Sequence, residues 1–153
     1  MIAGSAALPT LALSFWQPWA FFIVHGLKDV ENRTWAIPRK YLHGVEILVH
    51  ASKSPRFSLA GARDILWELH VRHGLRLPDK LPEVARECGG VVGKVRLTGC
   101  RQGSASPWAV PEPGTWHWSL ADARPLPFMP CPGHQGFFQV TYSAPDAGQG
   151  VLL

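Results

Sequence analysis

Apolar residues in this chain recur at every second position in short runs, and glycine or proline stands between the runs. Val45, Ile47, Val49 and Ala51 form one set, with Glu46, Leu48, His50 and Ser52 interleaved. Val91, Val95 and Leu97 alternate with Val92, Lys94, Arg96 and Thr98 in the same way. A period of two places alternate side chains on opposite faces of a strand. Further runs at 11–16, 31–35, 116–120 and 136–142 bring the expected strands to six.

Two segments break the pattern. Trp19, Phe22 and Ile23 follow Pro18 at helical spacing, and Gly26 is a natural stop, so 18–26 reads as a short apolar helix. Ser54-Pro55 reads as the cap and first turn of a longer helix closed by Gly74, with Ala62, Ile65, Leu66 and Leu69 on its inner side. Residues 82–88 suggest a third, shorter one ended by Gly89. The Pro/Ser/Gly-rich stretch 102–114 reads as a loop. Strands and helices do not alternate as in a βαβ fold. The expectation is an α+β domain, a small mixed β-barrel of about six strands with two or three helices packed on it. It spans 11–143, between a flexible leader (1–10) and a flexible tail (144–153).

A length of 153 residues suits one core. Charged residues are only 17% and hydrophobic ones 46%, which excludes a disordered polyelectrolyte. The net charge of +4 favours an anionic partner, yet no Lys/Arg cluster suited to coating a duplex is present. A short or single-stranded nucleic acid fits better. The N-terminal residues lack the basic start of a signal peptide, and no apolar run is long enough to span a membrane. Cys88, Cys100 and Cys131 are widely spaced and odd in number, which points to reduced thiols in the cytoplasm. No Cys/His spacing suggests zinc and no acidic cluster suggests magnesium, so neither metal nor cofactor is expected. No membrane and no obligate protein partner are expected either.

Lys28, Glu31 and Arg33 make the strongest chemical cluster. Glu31 and Arg33 lie two apart on one strand face, and Lys28 arrives from the helix end. A lysine beside an arginine and a glutamate can clamp a phosphate, polarise a carbonyl or carry a proton. The same three residues can equally form an ion network between helix and strand. Gln17 can read a base edge or cap the helix, and Trp19 can stack a base or fill the core. His50 can line a cleft or act as a base. Ser52 is a remote candidate for a nucleophile and a better one for a cap. Trp35, Trp116 and Trp118 can serve as platforms or as core, because seven tryptophans are many for a core of this size. Lys94 and Arg96 either extend a basic stripe or sit on a solvated strand face.

Ser14-Phe15-Trp16-Gln17-Pro18-Trp19-Ala20 leads into Gly26-Leu27-Lys28-Asp29-Val30-Glu31-Asn32-Arg33. This resembles the ASCH family, whose mark is G-x-K-x-x-E-x-R after a Q-P-W/Y-A type opening. Val49-His50-Ala51-Ser52 is similar to the family's I-H-A-S strand end. Trp116-His117-Trp118 and Gly133-His134-Gln135-Gly136-Phe137-Phe138 resemble its closing strands. The resemblance implies a PUA-like barrel with a cleft over the early helix, and a role in RNA metabolism. Relatives include RNA-binding modules, ribonucleases and amidohydrolases of acylated cytidine. The amidohydrolases carry a threonine three residues after the motif lysine, where this chain has Glu31.

These readings place a cleft for single-stranded RNA, a nucleotide or a modified nucleoside over the cluster. Lys28, Glu31 and His50 are its catalytic candidates. Gln17, Trp19, Arg33, Trp35, Ser52 and Trp118 are its binding candidates. The expected function is metal-independent hydrolysis of RNA or a modified nucleoside, by a ribonuclease- or amidohydrolase-like route. The alternatives are a non-catalytic reader of single-stranded nucleic acid or a modified base, and a purely structural interaction domain.

Overall fold

The structure is a computed structural model that describes residues 7–53, 59–77 and 81–145. Six strands form one mixed sheet: β1 (Leu11–Phe15), β2 (Val30–Arg33), β3 (Glu46–Ala51), β4 (Gly90–Arg101), β5 (Trp116–Pro130) and β6 (Phe138–Gln139). Their order is β2-β5-β4-β3-β1-β6. β1 and β3 are parallel and every other pairing is antiparallel. Two α-helices accompany the sheet, α1 (Trp19–Val24) and α2 (Leu59–His73). The chain is thus α+β as expected. β2 and β6 are the sheet's two edges, and no ladder joins them among the described residues.

The alternation on β3 translates directly into packing. Ile47, Val49 and Ala51 enter the main core with Leu13, Phe15, Val95, Leu97 and Trp118. Leu48 faces the other way, into a smaller cluster with Ala12 and Val91 under Met129 and Phe138. α1 is buried all round from Ala20 to Val24, so it plugs the sheet instead of lying on it. Gly93 of β4 permits this approach. A Cβ there would stand 2.5 Å from Val24 Cγ1 and 2.5 Å from Arg124 O. The far side of α1, with Phe21 and Phe22, packs against Leu66 of α2 and Trp108.

Several boundaries differ from the sequence reading. β2 ends at Arg33, because its partner β5 begins at Trp116 directly opposite, so Trp35 falls in a bend. β5 runs ten residues past the expected 116–120 segment, to Pro130. Beyond Leu120, whose N–H still reaches Asp29 O, its ladder among the described residues is with β4 alone, and Pro125 and Pro127 sit where no strand pairs on the other side. β6 has two ladder residues, with Val140 N adding a bond to Thr10 O. The expected third helix is a 3-10 turn at Glu83–Arg86, and a further 3-10 turn lies at Arg39–Tyr41. Gly26 and Gly74 follow α1 and α2 with φ of +73° and +66°, as helix stops do. The expected Ser54-Pro55 helix start, most of the leader and most of the tail lie outside the described residues. No helix among the described residues is long and apolar enough to cross a membrane.

Candidate functional site

The sheet order leaves a seam where β6 stops short of the end of β1. Arg33 of β2 reaches across it and donates through Nη2 to Ser14 O at 2.7 Å. Beside this seam lies a cleft of about 830 Å³. Phe15, Lys28, Glu31 and Arg33 form its floor. α2 contributes Ile65 and Leu69, and the 104–111 segment faces them with Ser106 and Pro107. Trp16 and Trp19 close the side where β1 turns into α1.

The floor is a chain of charges. Lys28 is 5% exposed. Its Nζ donates to Val30 O and, at 3.2 Å, to Glu31 Oε1. The other carboxylate oxygen of Glu31 accepts from Arg33 Nε at 3.1 Å. Two cations therefore share one carboxylate, and both of its oxygens are engaged. Burial pushes the Lys28 ammonium below the ordinary lysine value, Glu31 pulls it back, and Arg33 adds a smaller push downward. The Arg33 guanidinium lies 5.1 Å from the Phe15 ring and 5.8 Å from the Trp118 ring, so aromatic faces support it from the core side.

The sequence candidates separate into two groups. Lys28, Glu31, Arg33 and Trp19 meet in the cleft. Trp118 lies under it: it is fully buried, its Nε1 donates to Trp35 O, and its ring meets Arg33 from below. A substrate contact at Trp118 is therefore replaced by support of Arg33. Trp35 packs edge-on against Trp118 and Phe137 and likewise belongs to the core side. Gln17 uses its amide within the protein, where Oε1 caps α1 at Phe21 N and Nε2 donates to Glu87 O at 2.8 Å. That is its capping role, not base reading. Ser52 follows β3 and donates its N–H to Phe15 O.

His50 also stands apart. It is 2% exposed, on the sheet face opposite the Arg33 side. Nε2 contacts Cys131 O at 2.9 Å, which can only accept, so this nitrogen carries the proton. Nδ1 then accepts from Ser14 Oγ at 3.0 Å. Gly133 packs over the pair, since a Cβ there would be 2.6 Å from His50 Cε1. Burial keeps the imidazole below its ordinary value, against the pull of the Cys131 carbonyl. Lys94 and Arg96, the possible basic stripe, are engaged by Glu46 and Asp122.

The 102–114 loop gave no sign of its part in the site beyond Trp108, one large aromatic residue among Pro, Ser and Gly. Trp108 is buried, its Nε1 donates to Leu27 O, and its ring lies 5.8 Å from Lys28 Nζ. Asn32 binds the loop from the motif strand, with Nδ2 donating to Trp108 O and Oδ1 accepting from Val110 N. Glu68, Arg72 and His73 of α2 edge the cleft mouth. Glu68 and Arg72 are mostly exposed and pair at 3.7 Å.

The ASCH domain profile matches residues 13–121, which takes in the whole floor, α2 and the 102–114 loop. The chain belongs to the ASCH domain family. No curated protein matches it.

Proposed function

We propose that this ASCH domain binds single-stranded RNA, or a nucleotide or modified nucleoside derived from RNA, by seating one base in the cleft over Lys28, Glu31 and Arg33. One observation carries the reading: two cationic side chains share a single carboxylate at the floor of an aromatic-walled cavity of about 830 Å³. A base is flat and apolar on its faces, which suits Trp16 and Trp19, and polar on its edge, which suits the floor. ASCH membership supports RNA as the source of the ligand. The bond across the seam, from the Arg33 side chain to the Ser14 main-chain oxygen, supports a PUA-like barrel closed at this end without a strand ladder. Three free thiols support a reducing, cytoplasmic setting.

For turnover, the reading favours hydrolysis by Lys28 and Glu31. In its neutral form Lys28 would take a proton from water as the water oxygen bonds to the scissile carbonyl or phosphorus, and Glu31 would relay that proton to the amine or alcohol that departs as the old bond breaks. A ribonuclease route pairing Lys28 with His50 is disfavoured, because both ring nitrogens of His50 are bonded on the other face. The non-catalytic reader stands as the second reading, favoured by both Glu31 oxygens being already engaged.

The test is fluorescence anisotropy with a short labelled single-stranded RNA, alongside the same sequence as a duplex. Binding should be micromolar, prefer the single strand, fall with salt and be competed by nucleotides. No binding, or binding indifferent to salt, overturns the reading. Product analysis after incubation with RNA and with acylated nucleosides separates hydrolase from reader.

A further inference from the structure

We infer that His117 is a positioning residue for the cleft, holding the 103–110 segment as a wall fixed before any ligand arrives. The inference rests on the proposed function for what the cleft binds, and on hydrogen bonds alone for the clamp.

His117 lies on β5, 5% exposed, on the strand face opposite Trp118. Its Nδ1 accepts from Gly103 N at 2.9 Å. Its Nε2 meets Val110 O at 2.7 Å. An amide N–H only donates and a carbonyl only accepts, so the ring is the neutral tautomer with its proton on Nε2. One side chain thus holds both ends of the 103–110 segment. Gly103 adopts φ +112°, a conformation side chains other than glycine's rarely permit, so its amide can turn in to meet the ring.

Between its ends, the segment is bound to the strand that carries the motif. Asn32 holds Trp108 O and Val110 N. Ser106 Oγ donates to Asp29 Oδ1 at 2.6 Å and accepts from Trp108 N. Trp108 Nε1 closes on Leu27 O. Residues 27–32 therefore carry the floor and grip the wall at once. Because the Trp108 ring lies beside Lys28, loosening the wall also releases the lysine from one side. A wall set in advance spares the ligand the entropy of ordering it.

The test compares wild type with His117→Ala, His117→Asn and His117→Gln. The asparagine amide replaces the acceptor near Nδ1, and the longer glutamine amide replaces the donor near Nε2. Hydrogen exchange without ligand should quicken about tenfold at Gly103 and across 104–110 in His117→Ala, while β3 and β4 keep their protection. Affinity for the labelled single-stranded RNA should fall by about tenfold, and one of the amide variants should recover part of it. Unchanged exchange in the loop overturns the clamp. A loosened loop with unchanged affinity overturns the positioning role. Wild-type protein that binds no RNA overturns the functional reading alone, and the exchange arm still decides the clamp. Should His117→Ala fail to fold, His117→Gln against wild type carries both arms.

Discussion

Arg33 and Ser14 join the two sides of the sheet's seam by one bond, Nη2 to main-chain oxygen at 2.7 Å. Among the described residues β2 pairs with β5 alone, and β1 with β3 and β6 alone, so no ladder there does this work. The same guanidinium holds Glu31 Oε2. A lysine is a point donor and cannot serve both partners in the planar geometry that arginine offers.

Arg33→Lys is expected to cost about 2 kcal/mol of stability, and Arg33→Ala about 3 kcal/mol, since alanine leaves a largely buried carboxylate with one partner fewer. Urea unfolding measures both. A lysine variant as stable as wild type means that the seam does not depend on the fork.

Local physics made much of this legible. The two faces of β3 follow from alternation, and the stops after α1 and α2 follow from Gly26 and Gly74. The Lys28–Glu31–Arg33 cluster follows from spacing within eight residues of Gly26. What stayed hidden depends on contacts distant in the chain. Trp108 meets Leu27 across 81 residues, and His50 meets Ser14 across 36 and Cys131 across 81. Nothing local distinguishes a loop that walls a cleft from one that merely connects strands. The length of β5 was masked by its prolines, which punctuate a sequence unless an edge absorbs the missing N–H.

His50 should make stability fall in acid. In the fold its imidazole sits below the ordinary value of 6.5, with burial as the main cause. The unfolded chain therefore takes a proton first as pH drops through 6.5, and the fold loses stability from there downward. Glutamine at this position offers an acceptor and a donor and does not titrate. His50→Gln should be less stable than wild type by about 1–2 kcal/mol near pH 7, and the gap should narrow toward pH 5. A gap that stays constant or widens in acid contradicts a neutral, buried His50.

Gly93 and Gly99 offer a controlled pair on one strand. A Cβ at Gly93 meets Arg124 O and Val24 Cγ1 at 2.5 Å each, and backbone cannot yield as a side-chain tip can. At Gly99 the nearest atom is Ser119 Oγ at 3.7 Å, an ordinary contact. Gly93→Ala should cost about 2–3 kcal/mol, and Gly99→Ala less than about 1 kcal/mol. Thermal melts of both decide it. Equal effects would mean that α1 does not depend on close approach to β4.

Lys28→Met separates stability from binding. The wild-type ammonium is buried at 5% exposure, and removal from water is the largest influence on it, ahead of the attraction of Glu31. Methionine keeps most of the stem and removes the charge, while Arg33 still holds Glu31. The variant also takes the donor from Val30 O and Glu31 Oε1, which offsets the relief of a buried charge, so its stability near neutral pH should stay within about 1 kcal/mol of wild type. Its affinity for single-stranded RNA should drop by about tenfold or more. The pH dependence gives an independent check. The unfolded lysine keeps its proton up to 10.5, and the folded one releases it earlier. Between those values the unfolded state binds more protons, so raising pH stabilises the wild-type fold. Methionine does not titrate, so wild type should stand better relative to the variant at about pH 9.5 than at about pH 7. Urea unfolding at both values, with an RNA titration on each protein, reads all three effects. A variant destabilised by about 3 kcal/mol at neutral pH would mean that the charge holds the fold together. A variant that binds RNA as wild type does would mean that Lys28 is scaffolding for a site elsewhere.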